Sequence, residues 1–416
     1  MGPSSLRPVA PWALLALAGT ALIAWMGLQG FAFSDYDREA APAYLALLHG
    51  DVREFLALSP AYGGSLIMRG PFAMLPGVWG GGELAVFRAA AVPCLLAGIA
   101  LGLVLAGQAL ARGAGRGTAA MVLLLCAGNP ITWRAIEMGH PEELLGGALC
   151  VGAVLAGAAR RPGWAGVLLG LAIANKAWAV VAIGPVLLAL PAGRWRALAI
   201  AGGLAGAFTL PLLLAAPATA TPHGASASGA MFHPWQVWWF FGDMDLPVPG
   251  PDPRIARTAP GWLSPIPHPL IVGLAVPLSW LAARRRADPL ALLALLLLLR
   301  CVLDPWNNTY YVLPCVLALA AWEPLRHGRP PLLGLATVVA TFITMERIFD
   351  VAPLDVVAAS YLAWSLPLAA FLGWRLYAPA PAGRASAWIP SSSRPSRRPS
   401  NARRTSPRRG PAPSNR

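Results

Sequence analysis

The sequence predicts an all-α polytopic membrane protein with about twelve transmembrane helices, some short or broken, and interfacial helices in its first outer loop. Three observations predict it. The chain is 56% apolar and only 12% charged, against about 25% charged residues in soluble domains. Apolar runs recur along its length, several near the roughly 20 residues that cross a hydrocarbon core of about 30 Å. The arginines cluster in short stretches between those runs.

The apolar segments lie at 11–33, 84–107, 118–136, 141–159, 164–175, 177–191, 196–216, 264–283, 288–303, 309–323, 331–347 and 353–377. Backbone groups in lipid must be satisfied within a segment, so each reads as helix. The first run exceeds the roughly 7–15 apolar residues of a signal peptide and reads as a membrane helix. The fifth and sixth are each short for a full span, with Lys176 at their junction. A broken or re-entrant pair is expected there, a form tolerated where it lines a polar cavity.

Orientation follows from the basic clusters. Arg7, Arg112 with Arg116, Arg160 with Arg161, Arg194 with Arg196, Arg284 to Arg286, and Arg326 with Arg329 all fall on one side when the segments alternate. That places both termini in the cytoplasm of a cell-membrane protein, with its active face extracytoplasmic. The acids supply a check that arginine placement did not build in. Asp288 and Glu323 fall inside, and the other sixteen of eighteen fall outside or in outer helix ends.

Residues 1–378 therefore read as one transmembrane domain. Its long outer segments are 34–82 and 217–262, and 379–416 reads as a disordered basic cytoplasmic tail. In the first outer loop Tyr44, Leu45, Leu48, Phe55 and Leu56 suggest helices lying on the membrane surface. The tail carries nine arginines and no acid, rich in Pro and Ser. It reads as a solvated tail or one that touches anionic headgroups. The net charge of +14 does not point to nucleic acid, because only Trp388 interleaves with the basic residues of the tail. Cys94, Cys126, Cys150, Cys301 and Cys315 all sit in apolar runs without C-x-x-C spacing and read as buried hydrophobes.

Three motifs carry chemistry. SDYDREA follows the first helix, placing Asp35, Asp37 and Glu39 at the outer boundary with Arg38 among them. A carboxylate there can take a proton from an acceptor hydroxyl or hold a divalent cation. The plainer reading is an acid-rich helix start capped by Ser34. NPITWRAIEMGHPEELL brackets an outer turn with Asn129, Arg134, Glu137, His140, Glu142 and Glu143. Helix-start preferences account for Pro141, Glu142 and Glu143, but not for His140. Zinc has no second His or Cys at ligand spacing. Lys176, in LAIANKAWAVV, is the chain's one lysine. A cation in an apolar segment is costly and usually functional, and an ammonium neutralises a phosphate as a compact charge. Snorkelling to the interface is the plainer alternative.

Arg69 and Arg300 can face anionic headgroups. Asp304, Asn307, Asn308, Tyr310 and Tyr311 mark an outer boundary where belt anchoring accounts for the aromatics. Asn307-Asn308-Thr309 fits a glycosylation pattern. No P-loop, dinucleotide fingerprint or G-x-S-x-G elbow is present.

Taken together, SDYDREA, GHPEELLGGALCVGAVLA, WAGVLLGLAIANKAWAVVAIGPVLLALPAGRWRA and LDPWNNTYYVLPCVLALAAWE resemble the GT-C glycosyltransferases. More narrowly they resemble the actinobacterial family 87, which uses polyprenyl-phosphate sugars and includes mannosyltransferases of the cell envelope. The resemblance runs to about Tyr377. It implies a polyprenyl-phosphate sugar donor entering from the outer leaflet, a glycan or glycolipid acceptor, and transfer of a hexose or pentose with inversion. Asp35 matches the family's first-loop base, with Asp37 as the alternative. Lys176 matches a basic position near the donor phosphate; His140, Glu142, Arg69 and Asn307 are the other donor-side candidates. The late outer turn, which often holds histidines in related enzymes, has none in WNNTYY. No cofactor is implied; D-Y-D leaves a divalent cation open. The rival readings are a transporter or flippase, which needs coupling charges near the bilayer midplane, and a non-catalytic scaffold.

Overall fold

The computed structural model describes residues 11–30, 35–60, 62–215, 230–243, 245–248 and 254–378. Ser34, the 217–229 stretch and the basic tail lie outside the described residues. Every apolar segment read from the sequence is helical. In chain order the first helices are α1 (Pro11–Gly27), α2 (Ala41–Leu48), α3 (Val52–Leu58), α4 (Gly63–Ala73), α5 (Glu83–Ala111) and α6 (Arg116–Ala127). The central ones are α7 (Pro130–Glu137), α8 (Glu142–Ala158), α9 (Pro162–Asn175), α10 (Ile183–Ala189) and α11 (Arg194–Ala215). The last are α12 (Pro267–Arg285), α13 (Pro289–Leu303), α14 (Leu313–His327), α15 (Leu332–Phe342) and α16 (Leu354–Tyr377).

Among the described residues, four helical stretches are long and apolar enough to cross a membrane: Glu83–Ala111, Arg116–Glu137, Arg194–Ala215 and Leu354–Tyr377. Four shorter apolar helices accompany them. The chain is a multi-pass helical membrane protein. Its helices are more broken than the sequence suggests. The 118–136 segment divides at Asn129, whose side chain accepts from the backbone N–H groups of Ile131 at 2.9 Å and Thr132 at 3.2 Å and so caps α7. Pro130 then takes the first helical position, where a missing N–H costs nothing.

Burial sorts the helices. In α13 and α14 nearly every side chain is enclosed, as expected where a helix is apolar all round and sits centrally. On α11, Trp195 and Leu214 are 84% and 73% exposed, a face suited to lipid. In the first outer loop, Leu45 and Leu58 are exposed as an interfacial helix requires, but Tyr44 and Phe55 are buried in protein. The two helices, α2 and α3, thus turn their aromatics inward and leave Leu45 and Leu58 exposed.

The second outer loop departs from an all-helical plan. β1 (Met231–Phe232), β2 (Asp245–Val248) and β3 (Arg254–Thr258) form a small antiparallel sheet in the order β1-β3-β2. A loop outside the helices must pair its own backbone groups, and this sheet does so. The loop docks on α16, where Trp239 Nε1 donates to Asp355 Oδ1 at 2.8 Å and Arg257 pairs with the same oxygen at 3.0 Å.

All five cysteines are buried and free. The arginine-bearing turns occupy one end of the helices. α8 runs from Glu142 to the Arg160–Arg161 turn, α9 returns from it to Lys176, and α13 and α14 likewise reach opposite ends at Asp304 and His327.

One backbone approach matters for the site. A Cβ on Gly64 would stand 2.1 Å from the Ala174 carbonyl oxygen. α4, carrying Arg69, therefore crosses α9 just before Lys176 at a distance only glycine permits. Gly64→Ala is expected to cost at least about 1–3 kcal/mol of stability through overpacking, read as a lowered thermal midpoint in detergent.

Candidate functional site

The site starts where two helices end. α9 stops at Asn175, and Lys176 is fully extended, with φ −153° and ψ 131°. A 3₁₀ turn over Ala177–Ala182 then leads into α10. This is the broken pair expected from the sequence, and the break turns the Lys176 ammonium inward. There it meets the first turn of α8. Lys176 Nζ lies 3.1 Å from Glu142 Oε1 and 3.0 Å from Glu143 Oε1. Asn175 Nδ2 donates to the Glu142 carbonyl at 2.9 Å, tying the two helix ends together.

Each glutamate also holds a second cation. Arg300, in the last turn of α13, donates from Nη1 to Glu143 Oε2 and from Nη2 to Glu143 Oε1, both at 3.1 Å. This bidentate geometry suits a guanidinium. Arg69 Nη2 approaches Glu142 Oε2 at 3.3 Å as a charge contact without hydrogen-bond alignment. Trp178 Nε1 donates to Glu143 Oε1 at 3.2 Å. The Arg300 guanidinium also stands 4.5 Å from the Trp178 ring centre and 4.4 Å from that of Tyr311. Both glutamate side chains are wholly buried.

His140 carries the cluster outward. Its Nδ1 lies 2.6 Å from Glu142 Oε1 and its Nε2 3.2 Å from Asp35 Oδ2. The ring stacks on Tyr310 with centres 4.7 Å apart, and the Tyr310 hydroxyl donates to Asp35 Oδ2 at 3.4 Å. Gly139 makes the turn possible. Its φ is +82°, and a Cβ there would sit 2.8 Å from the Tyr36 backbone nitrogen. Asp35 is the outermost acid of the cluster, with its side chain 19% exposed. It sits at the N-cap of a wide turn over Tyr36–Ala40 but makes no side-chain cap bond. Its carboxylate serves the cluster, not the turn. Glu39 accepts from the Tyr62 hydroxyl, and the Lys176 ammonium faces the Tyr62 ring at 4.8 Å.

Burial on its own would depress the His140 pKa. The Glu142 carboxylate and the hydrogen bonds to Asp35 and Glu142 outweigh it and raise the value to about 10, so the imidazolium persists at neutral pH. Burial pushes the Glu39 carboxyl above its usual range, against the pull of His140 and Tyr62. A raised folded-state pKa means stability present below the unfolded value, near 6.5, and lost as pH rises through the folded value. The thermal midpoint is therefore expected to fall between about pH 6.5 and about pH 10. His140→Gln should flatten that slope in the same pH series.

The structure brings Asp35, His140, Glu142, Lys176 and Arg69 together. Asp37 makes none of these contacts. Asn307 stands elsewhere: wholly buried, it donates from Nδ2 to the Trp235 carbonyl at 2.7 Å. Asn307 and Asn308 are both buried, so the glycosylation pattern is closed to modification. Sequence reasoning missed Tyr62 and Trp178, and left Glu143 open between a functional and a helix-start role. It also found no histidine in the late outer turn. The structure supplies one from the second loop: His233 stacks on Trp306 at 3.9 Å, and His140 flanks the same turn through Tyr310. Among the described residues no group of three His, Cys, Asp or Glu side chains is arranged to hold a metal ion.

Fold and site together describe a helical multi-pass membrane protein with a buried ion cluster at the helix ends away from its arginine turns. No family model matches the sequence, and no curated protein matches it. Solved structures similar to it include two of ArnT from Cupriavidus metallidurans. The apo state matches at 16% identity and a TM-score of 0.43, and the undecaprenyl phosphate-bound state at 16% and 0.44. Each match covers 88% of this chain and 77% of the other.

Proposed function

We propose that this chain is a membrane glycosyltransferase that moves a hexose or pentose from a polyprenyl-phosphate donor to a glycan or glycolipid acceptor. The observation that carries the reading is Asp35, the outermost acid of a buried cluster, held by His140 and Tyr310. With His140 protonated, four cations (Arg69, His140, Lys176 and Arg300) meet three carboxylates (Asp35, Glu142 and Glu143). Burial also raises the carboxyl pKa of Glu39, the next acid. Among the directly paired groups the cations outnumber the carboxylates by one in a low-dielectric setting, where an anion is stabilised most.

In this mechanism Asp35 takes the proton of the acceptor hydroxyl. The acceptor oxygen bonds to the anomeric carbon from the face opposite the phosphate, the carbon–oxygen bond to phosphate breaks with its electron pair, and polyprenyl phosphate leaves. Lys176 already holds two carboxylates, so it acts on the leaving phosphate through the net field of the cluster. The arginine-bearing turns face the cytoplasm by the positive-inside rule, which turns the cluster outward. A lipid-linked donor suits that side, where nucleotide sugars are lacking. A transporter would carry its coupling charges mid-helix; here Glu142, Glu143, Lys176 and Arg300 all sit at helix ends.

The test is reconstitution. Protein in nanodiscs with polyprenyl-phosphate mannose or arabinose and a glycan acceptor is expected to yield glycosylated acceptor and equimolar polyprenyl phosphate. A chelator arm decides metal dependence. Solute movement across proteoliposomes without any transfer product would overturn the reading.

A further inference from the structure

Tyr310, whose hydroxyl donates to Asp35, also lines a cavity of about 220 Å³. Its walls include Trp235, Tyr310, Phe349, Arg134, Glu346 and Asp350. Three features set its chemistry. The first is aromatic: Trp235 and Phe349 stand 4.9 Å apart at a tilt of 55°, and Tyr310 adds a third ring. The second is polar: Asn308 and Thr309 line the same cavity. The third is charge. Glu346 is fixed by Arg134 at 3.0 Å and by the Thr309 hydroxyl at 2.5 Å. Arg134 is shared with Glu137 at 2.6 Å, and Asp350 is exposed at the edge. Two carboxylates, Glu346 and Asp350, line the cavity with one guanidinium that Glu137 also holds, and the nearby Arg347 lies over the Phe342 ring.

We infer that this cavity holds the terminal sugar ring of the acceptor, with no acidic substituent, and presents its hydroxyl to Asp35 past Tyr310. The inference rests on the transferase reading and deepens it. Aromatic faces cover the apolar face of a sugar, while Glu346 and Asp350 accept from its hydroxyls. The volume lies below the about 300–1,000 Å³ of pockets for drug-sized ligands, which suits a single ring. The negative balance repels the donor's phosphate and leaves that anion to the cation-rich cluster. The Tyr310 hydroxyl, 3.4 Å from Asp35, marks where the two compartments meet.

Two measurements test it. Saturation-transfer NMR with methyl α-mannopyranoside and methyl α-arabinofuranoside on the full chain in nanodiscs is expected to show saturable binding of at least one glycoside. Trp235→Leu, which removes the aromatic face, and Asp350→Asn, at an exposed position, should each weaken it about tenfold. In the transfer assay both variants should raise the acceptor KM by a similar factor and leave the donor KM unchanged. A shift in donor KM with acceptor KM unchanged would overturn the assignment, as would glycoside binding indifferent to both substitutions. Glycoside binding that depends on Trp235, with no transfer from any polyprenyl-phosphate sugar, would keep a carbohydrate site but remove the transferase reading and the acceptor role with it. The two failures are thereby distinguishable.

Discussion

Asp35→Asn is expected to lower kcat for sugar transfer by about 10²–10⁴-fold, the usual contribution of a positioned general base. The amide cannot accept the acceptor's proton, but it keeps the shape of the carboxylate and an oxygen that can accept from His140 and Tyr310. The side chain is partly exposed, so the charge lost from His140 is partly made up by water. The thermal midpoint should move little and the donor KM should stay near the wild-type value. That split separates a base from a structural ion pair, whose loss would lower stability before it lowered kcat. Asp37→Asn, one turn position away and outside the cluster, should retain turnover. Full activity in Asp35→Asn, or its loss in Asp37→Asn alone, would move the base to the second aspartate.

Glu143→Gln should act on the fold. It removes the carboxylate that Arg300 grips with two nitrogens and that Lys176 meets at 3.0 Å. Both cations are buried, and neither can reach water without opening the helix ends. Breaking a buried pair on one side costs about 3–5 kcal/mol, because a charge is left uncompensated. Lys176 keeps Glu142 at 3.1 Å, so Arg300 is the charge left stranded and a loss within that range is expected. It would be seen as a strong fall in thermal midpoint and in yield of monodisperse protein. Glu143→Gln with Arg300→Gln should recover part of the loss, since the second change removes the stranded charge. A double-mutant cycle over the two positions isolates their coupling. A coupling near zero would mean that Arg300 is held by Trp178 and Tyr311 and not by Glu143.

The two variants probe two layers of one site. Glu142, Glu143, Arg69, Lys176 and Arg300 bind helix ends together inside the protein, and their mutual attraction offsets their desolvation. His140 links that interior to Asp35, and Tyr310 links Asp35 to the aromatic cavity. Exposure rises in the same order, from wholly buried glutamates to the partly exposed aspartate. A single charge network can then hold the fold at one end and orient a reactive carboxylate at the other.

Much of the fold was legible in residues 11–377 before any coordinate. Hydropathy is a local property, and lipid forces each apolar run to satisfy its own backbone, so the helices fall where the runs do. The arginine turns, the break at Lys176 and the gathering of most acids toward the helix ends away from those turns follow from the same local reading. SDYDREA and GHPEE were recognisable as chemistry because three acids, or a histidine beside two glutamates, exceed what a helix start needs. What the sequence could not decide is which charge meets which. Glu143 stayed open between a functional and a helix-start role, because its partner Arg300 stands 157 positions away; the hydroxyl on Asp35 comes from Tyr310, 275 positions on. The His233 stacked on Trp306, absent from the WNNTYY stretch itself, arrives from another loop. Helix formation is written in neighbouring residues, whereas the choice of partner for a buried ion depends on which helix ends packing brings within about 3 Å. Only the tertiary structure made that choice, and with it turned a row of polar residues on one side of the helices into a connected site.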